Sequence, residues 1–142
     1  MTQSTTFSTA PADRGQCRSI DLRGKIALID GHWQPRVVAE MNDYQFKAVK
    51  VEGDFEWHRH ADTDETFIVL EGELRIDYRA GPSGDDGSIV LRAGQMAVVP
   101  KGVEHRPCAH GEVKMLLIEP RGVVNTGDGA ASERTVQNDQ WV

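Results

Sequence analysis

The sequence is poor in cysteine, in long apolar runs and in positive charge, and each shortage removes a class of protein. Cys17 and Cys108 are the only two cysteines in 142 residues. They form no framework of closely spaced thiols, so a reducing compartment, the cytoplasm, is the expected setting. No apolar stretch reaches the roughly 18 residues that a transmembrane helix needs. Residues 1–18 are rich in Ser and Thr and hold no apolar run of the signal-peptide kind, so they read as a flexible N-terminal tail. Lys and Arg number 16 against 22 Asp and Glu, a net charge of -6. That balance argues against nucleic acid or an anionic membrane as partner and favours a small molecule. A Walker loop, a dinucleotide glycine fingerprint, a Gly-x-Ser-x-Gly elbow and a Cys-x-x-Cys pair are all missing, which removes the usual NTP, NAD and acyl-transfer routes.

What is present describes one folded domain, since 39% hydrophobic and 27% charged residues suit a chain with a single core. Leu22, Ile26 and Ile29 follow a helical period behind Asp21, a capping residue, and predict a short helical arm that Gly24 weakens. From Val37 onward, β-rich runs recur between turn signals: 37–41, 44–51, 66–70, 74–78, 88–91, 96–99 and 113–118. Leu70-Glu-Gly-Glu-Leu74 reads as a tight hairpin and residues 80–87 as a longer loop. The expected architecture is all-β, a sandwich or small barrel, with the arm and barrel over residues 19–120. Residues 121–142 read as a C-terminal tail from which Trp141 docks back on the body.

Three histidines and one carboxylate stand where a metal site would draw on them. His58 and His60 are two apart, so on an extended chain both imidazoles face one side while Arg59 turns away. Glu65 opens the next β-rich run, and His105 stands at a later strand boundary. Imidazole and carboxylate donors suit Fe, Mn, Ni, Cu or Zn. A lone His-x-His is weak evidence, but here it belongs to a longer string. Gly53 is followed by His58-x-His60, Glu65 and Gly72, then by Gly94, Pro100-x-Gly102 and His105. Gly72 and Gly102 fall where a turn calls for positive φ, and Pro100 fixes the chain entering the loop that aims His105.

This string resembles the two motifs of the cupin superfamily, over Gly53 to His105. The resemblance implies a jelly-roll β-barrel of the small single-domain bacterial kind, one divalent ion (Fe, Mn, Ni or Zn) on His58, His60, Glu65 and His105, and a homodimer. The chain departs from the pattern twice. Four residues rather than five separate Gly53 from His58, and Ala109 stands where the second motif often has Asn. Neither departure removes a ligand. The implied function is a metal-dependent dioxygenase or isomerase acting on a small molecule. The alternatives are a non-catalytic module that binds or senses a sugar or metabolite, and a scaffold held by structural zinc.

Other residues carry less. His32 and His110 read as exposed loop histidines, and Glu56, Asp62 and Asp64 as a charged rim. Lys47 and Lys50 have opposite strand parity, so at most one faces inward, and a solvated lysine is the expected role of each. Arg36 and Arg106 are the candidates for clamping an anion, although Arg106 alternates away from His105, as does Cys108. Phe46, Ala48, Trp57, Phe67, Val69, Met96 and Val98 are candidates for a pocket wall, with core packing the expected role of most; Trp57 alternates away from the ligand face.

Overall fold

The computed structural model describes residues 17–128 and 131–142. Of the tail read over residues 1–18, the stretch up to residue 16 therefore lies outside the described residues. A short helix, α1 (Leu22–Ala27), precedes seven strands: β1 (Arg36–Met41), β2 (Tyr44–Asp54), β3 (Glu65–Glu71), β4 (Glu73–Arg79), β5 (Gly87–Arg92), β6 (Met96–Val99) and β7 (Glu104–Pro120).

All strand pairs are antiparallel, and β7 is their spine. Its second half lies between β2 and β3, while its first half pairs with β4, from Glu104 opposite Arg79 to Ala109 opposite Leu74. The chain bends at one level in three neighbouring places. β2 breaks register between Val51 and Gly53, where Gly53 has φ 84°. β7 changes partners across residues 110–112. Gly72, with φ 91°, joins β3 to β4, and a Cβ there would lie 2.7 Å from the Glu112 carbonyl oxygen.

Residues 70–74 are thus a kink and not the hairpin that their composition suggests. β3 and β4 each pair with β7 and not with each other, because a positive-φ glycine bends the strand in step with its neighbour instead of reversing it. The bends fold one half of the sheet over the other. Val49, Phe67 and Met115 from one layer meet Leu74, Ile76 and Leu91 from the other in a single core.

The architecture is an all-β jelly roll with a short helical arm, but its hydrogen bonding does not close into a barrel. β5 pairs only with β4, and β6 only with β3. The arm forms where the periodicity places it. Ile26 and Ile29 are fully buried against Val38, Ala48 and Leu116 on the outer face of the sheet, each burial worth about 1.5–3 kcal/mol. Asp21 occupies the N-cap position without a side-chain cap bond.

Two of the pocket-wall candidates are corrected: Met96 and Val98 are 56% and 52% exposed, on edge strand β6. Phe46 and Ala48 belong to the outer cluster under α1. β7 ends at Pro120, and the chain then returns across β1. Val37 donates its N–H to the Gln140 carbonyl, and Val142 donates to Val37, with Trp141 buried between them. Among the described residues, no helix is long and apolar enough to cross a membrane.

Candidate metal centre

His58 lies in the segment between β2 and β3 and forms an isolated antiparallel bridge with His105 at the start of β7. The two residues exchange both backbone hydrogen bonds, His58 N–H to His105 O at 3.0 Å and the reverse at 2.9 Å. His60 follows two residues on, and its carbonyl accepts from Gly102 N–H in the turn after Pro100. Gly102 has φ 80°, so that turn has the conformation its sequence called for. Asp128, from the C-terminal segment, donates its N–H to Arg59 O and accepts Ala61 N–H on Oδ2. Gly127 passes so close that a Cβ would overlap the Arg59 carbonyl. Residues 58–61 are therefore tied by their backbone on two sides.

The four side chains converge. His58, His60, Glu65 and His105 are all buried, and one donor atom from each lies within 4.8 Å of the others. His58 Nδ1 donates to the Glu56 carbonyl at 3.0 Å and His105 Nδ1 to the Val103 carbonyl at 2.9 Å. A carbonyl only accepts, so each Nδ1 carries the proton and each Nε2 presents a lone pair. His105 Nε2 faces Glu65 Oε1 at 3.4 Å, and His60 Nε2 faces Glu65 Oε2 at 2.9 Å. Buried His60 Nε2 has no hydrogen-bond partner. Two imidazole lone pairs and a third imidazole nitrogen gathered around one carboxylate are a donor set that fits a divalent metal ion.

Two of the charge states suit that use, while Glu65, working against burial, raises His60 above its ordinary value. Burial, reinforced by His105, pushes His58 down to about 4, which keeps it neutral at physiological pH. Burial alone would raise Glu65, but contacts with His105, His60 and Glu119 overcome it and hold Glu65 well below the usual carboxylate range. Burial and then Glu65 push Glu119 up to about 8, against Lys47. Of the two neighbouring carboxylates, Glu65 is the one kept as an anion.

Lys47 corrects an expectation. It is 3% exposed, and its Nζ donates to Glu119 Oε1 at 2.8 Å, Val123 O at 3.0 Å and Asn138 Oδ1 at 3.1 Å. The alternation that buries Val49 and Val51 also turns Lys47 inward, and Val113, Met115 and Leu117 do the same for Glu119. That parity was the available signal for both residues.

Trp57 faces away from the ligands, with the Arg79 guanidinium 3.7 Å and the Arg106 guanidinium 5.0 Å from its ring centroid. Arg106 and Arg75 both bind Asp77. Cys108 is buried beside the same carboxylate. None of these residues joins the cluster. A small cavity of about 30 Å³ has His58, Glu65, Phe67 and Phe55, all buried, in its wall, and half-buried Trp33 and Asn125 on its open side.

The family model for the Cupin domain matches residues 46–119, just over half of the chain. The chain belongs to the cupin family. A cupin-2 domain containing protein from Shewanella frigidimarina is 59% identical, with a TM-score of 0.66 over 72% of this chain and 94% of that one. Protein NMB1881 from Neisseria meningitidis is 37% identical, with a TM-score of 0.62 over 72% and 99%. Hydroquinone 1,2-dioxygenase from Sphingomonas sp. TTNP3, solved with 4-hydroxybenzoate bound, is 23% identical, with a TM-score of 0.57 over 66% and 70%. That last likeness is one of fold.

Proposed function

We propose that this cupin is a metal-dependent enzyme of the dioxygenase or isomerase type, with His58, His60, Glu65 and His105 holding one divalent ion of Fe, Mn, Ni or Zn. The observation that carries this reading is the convergence of four buried donor atoms on one point, with His60 Nε2 lacking any hydrogen-bond partner. When bound, such an ion supplies Lewis acidity and, if it is iron or manganese, redox chemistry. The chain's own residues do the rest. Glu56 and Val103 orient two imidazoles through their carbonyls, and Lys47 with Glu119 backs Glu65 from behind. Val49, Val51 and Phe67 line the cavity beside Glu65 with apolar side chains.

The reading includes a small-molecule substrate, a cytoplasmic setting and a homodimer, and the apolar side chains of Met96 and Val98 left exposed on strand β6 support the last of these. One observation favours the second reading, a binding or sensing module. Apart from His58 and Glu65, the cavity wall holds no acid or base. Anaerobic loading with Fe(II), followed by oxygen and a panel of phenols, thiols and diketones, separates the two. The enzyme reading expects metal-dependent oxygen uptake or isomer formation that disappears in His60→Ala. Fully loaded protein that binds a panel member and converts none supports the module.

A further inference from the structure

Half-buried Trp33, on the open side of the cavity, stacks on buried Phe55, ring centroids 4.6 Å apart and planes 24° from parallel. Trp33 is held there at some cost. Its φ is 61°, in the left-handed region, which a bulky residue occupies only when its surroundings enforce it. The enforcing contacts are Trp33 N–H to Lys50 O and Trp33 Nε1 to Glu52 O, both 3.0 Å. Arg134, from the C-terminal segment, lies over this pair, its guanidinium 5.9 Å from the Trp33 centroid and 5.7 Å from that of Phe55.

Among the described residues, Arg134 makes no ion pair, and Glu52 and Glu56, which contact Trp33 and Ser132, have partners of their own. Glu56 accepts from Ser132 Oγ at 2.9 Å, and Glu52 faces His32 at 3.9 Å. Trp33 and Arg134 both lie outside residues 46–119, so two of the three side chains here, all but Phe55, come from beyond the family's matched core.

We propose that the mouth binds a small planar organic carboxylate, its flat face on Trp33, which Phe55 backs, and its anion on Arg134; this rests on the metal-centre reading for what happens beyond the mouth. Three features point to that class. Trp33, backed by the buried ring of Phe55, offers a rigid apolar face, a platform that recognises a flat ligand at little entropic cost. A guanidinium without a carboxylate partner binds an oxyanion through two parallel N–H donors. The cavity behind the platform, about 30 Å³, has room for about two or three waters. A ligand therefore reaches Glu65 and His58 with a small group only, and its body stays at the mouth. A divalent ion beyond Glu65 adds net positive charge to the interior and favours an anion further.

Calorimetric titration of the metal-loaded protein with benzoate, and with benzyl alcohol as the uncharged counterpart, tests the proposal. The expected result is that benzoate binds more tightly than benzyl alcohol. Arg134→Gln then weakens benzoate by about tenfold and leaves benzyl alcohol within about twofold, while Trp33→Leu weakens both. Benzoate affinity that ignores Arg134→Gln overturns the proposal, as does tighter binding of the alcohol. Metal content is measured on each sample. A wild type that takes up no metal overturns the metal reading, whereas a fully loaded wild type that does not bind benzoate overturns this proposal alone.

Discussion

His60 has the most exposed role in the account, because its buried Nε2 has only Glu65 Oε2 opposite it and no hydrogen bond. His60→Ala is expected to lower metal occupancy strongly and leave the fold intact, since the core does not depend on that imidazole. Elemental analysis and circular dichroism on the same sample check both halves, and a variant unfolded at room temperature contradicts the second.

A different residue sets a pH response away from the metal. Burial raises Asp77, but Arg75 and Arg106 outweigh it and lower the carboxyl below its ordinary value. A depressed carboxyl contributes stability above its unfolded pKa, near 3.9, and loses it as pH falls through the folded value. Wild type should therefore lose stability relative to Asp77→Asn as pH drops from about 5 to about 2. Urea midpoints across that range measure it, and parallel curves for the two proteins contradict it.

The clustering of His58, His60, Glu65 and His105 was legible because motif spacing and strand parity both concern which way a side chain points. Lys47 was misread because a lysine defaults to solvent, and its burial depends on Val123 and Asn138, which come from a segment distant in sequence.

At the scale of elements, the bend level decides where the ligands meet. β2, β7 and the β3–β4 link fold over together, and Gly72 has no room for a side chain beside Glu112 O. Gly72→Val adds strain at positive φ to that clash, so a loss of more than about 2 kcal/mol is expected. Chemical unfolding of the variant checks this, and a loss below about 0.5 kcal/mol contradicts it.

The junction of β2, β7 and the C-terminal segment offers a second test. Lys47→Met leaves three acceptors without their donor, and at about 1 kcal/mol or more each the cost is about 3 kcal/mol or more. The pair Lys47→Met with Glu119→Leu should recover part of that loss, which a double-mutant cycle measures. Strand positions were legible from β-rich runs between turns. The first half of β7 was not, because Glu104–Ala109 mixes charge, Pro107 and His105 and becomes a strand only by pairing with β4. The kink at Gly72 was hidden for a related reason, as glycine marks a reversal and a bend alike.

For the whole molecule, two layers fold around one core and leave the four donors at a point served by three separate parts of the chain: the 58–61 segment, β3 and β7. The family likeness made the jelly roll legible in the sequence. The open hydrogen bonding at β5 and β6 was not, because pairing between distant strands leaves no local pattern. The account stands or falls on a metal at this centre. Elemental analysis of tag-free protein, purified without chelator or added metal and compared with His60→Ala, tests that most directly. Close to one equivalent of Fe, Mn, Ni or Zn per chain is expected in the wild type, with a large loss in the variant. A wild type that carries no metal and takes none up on titration would contradict it.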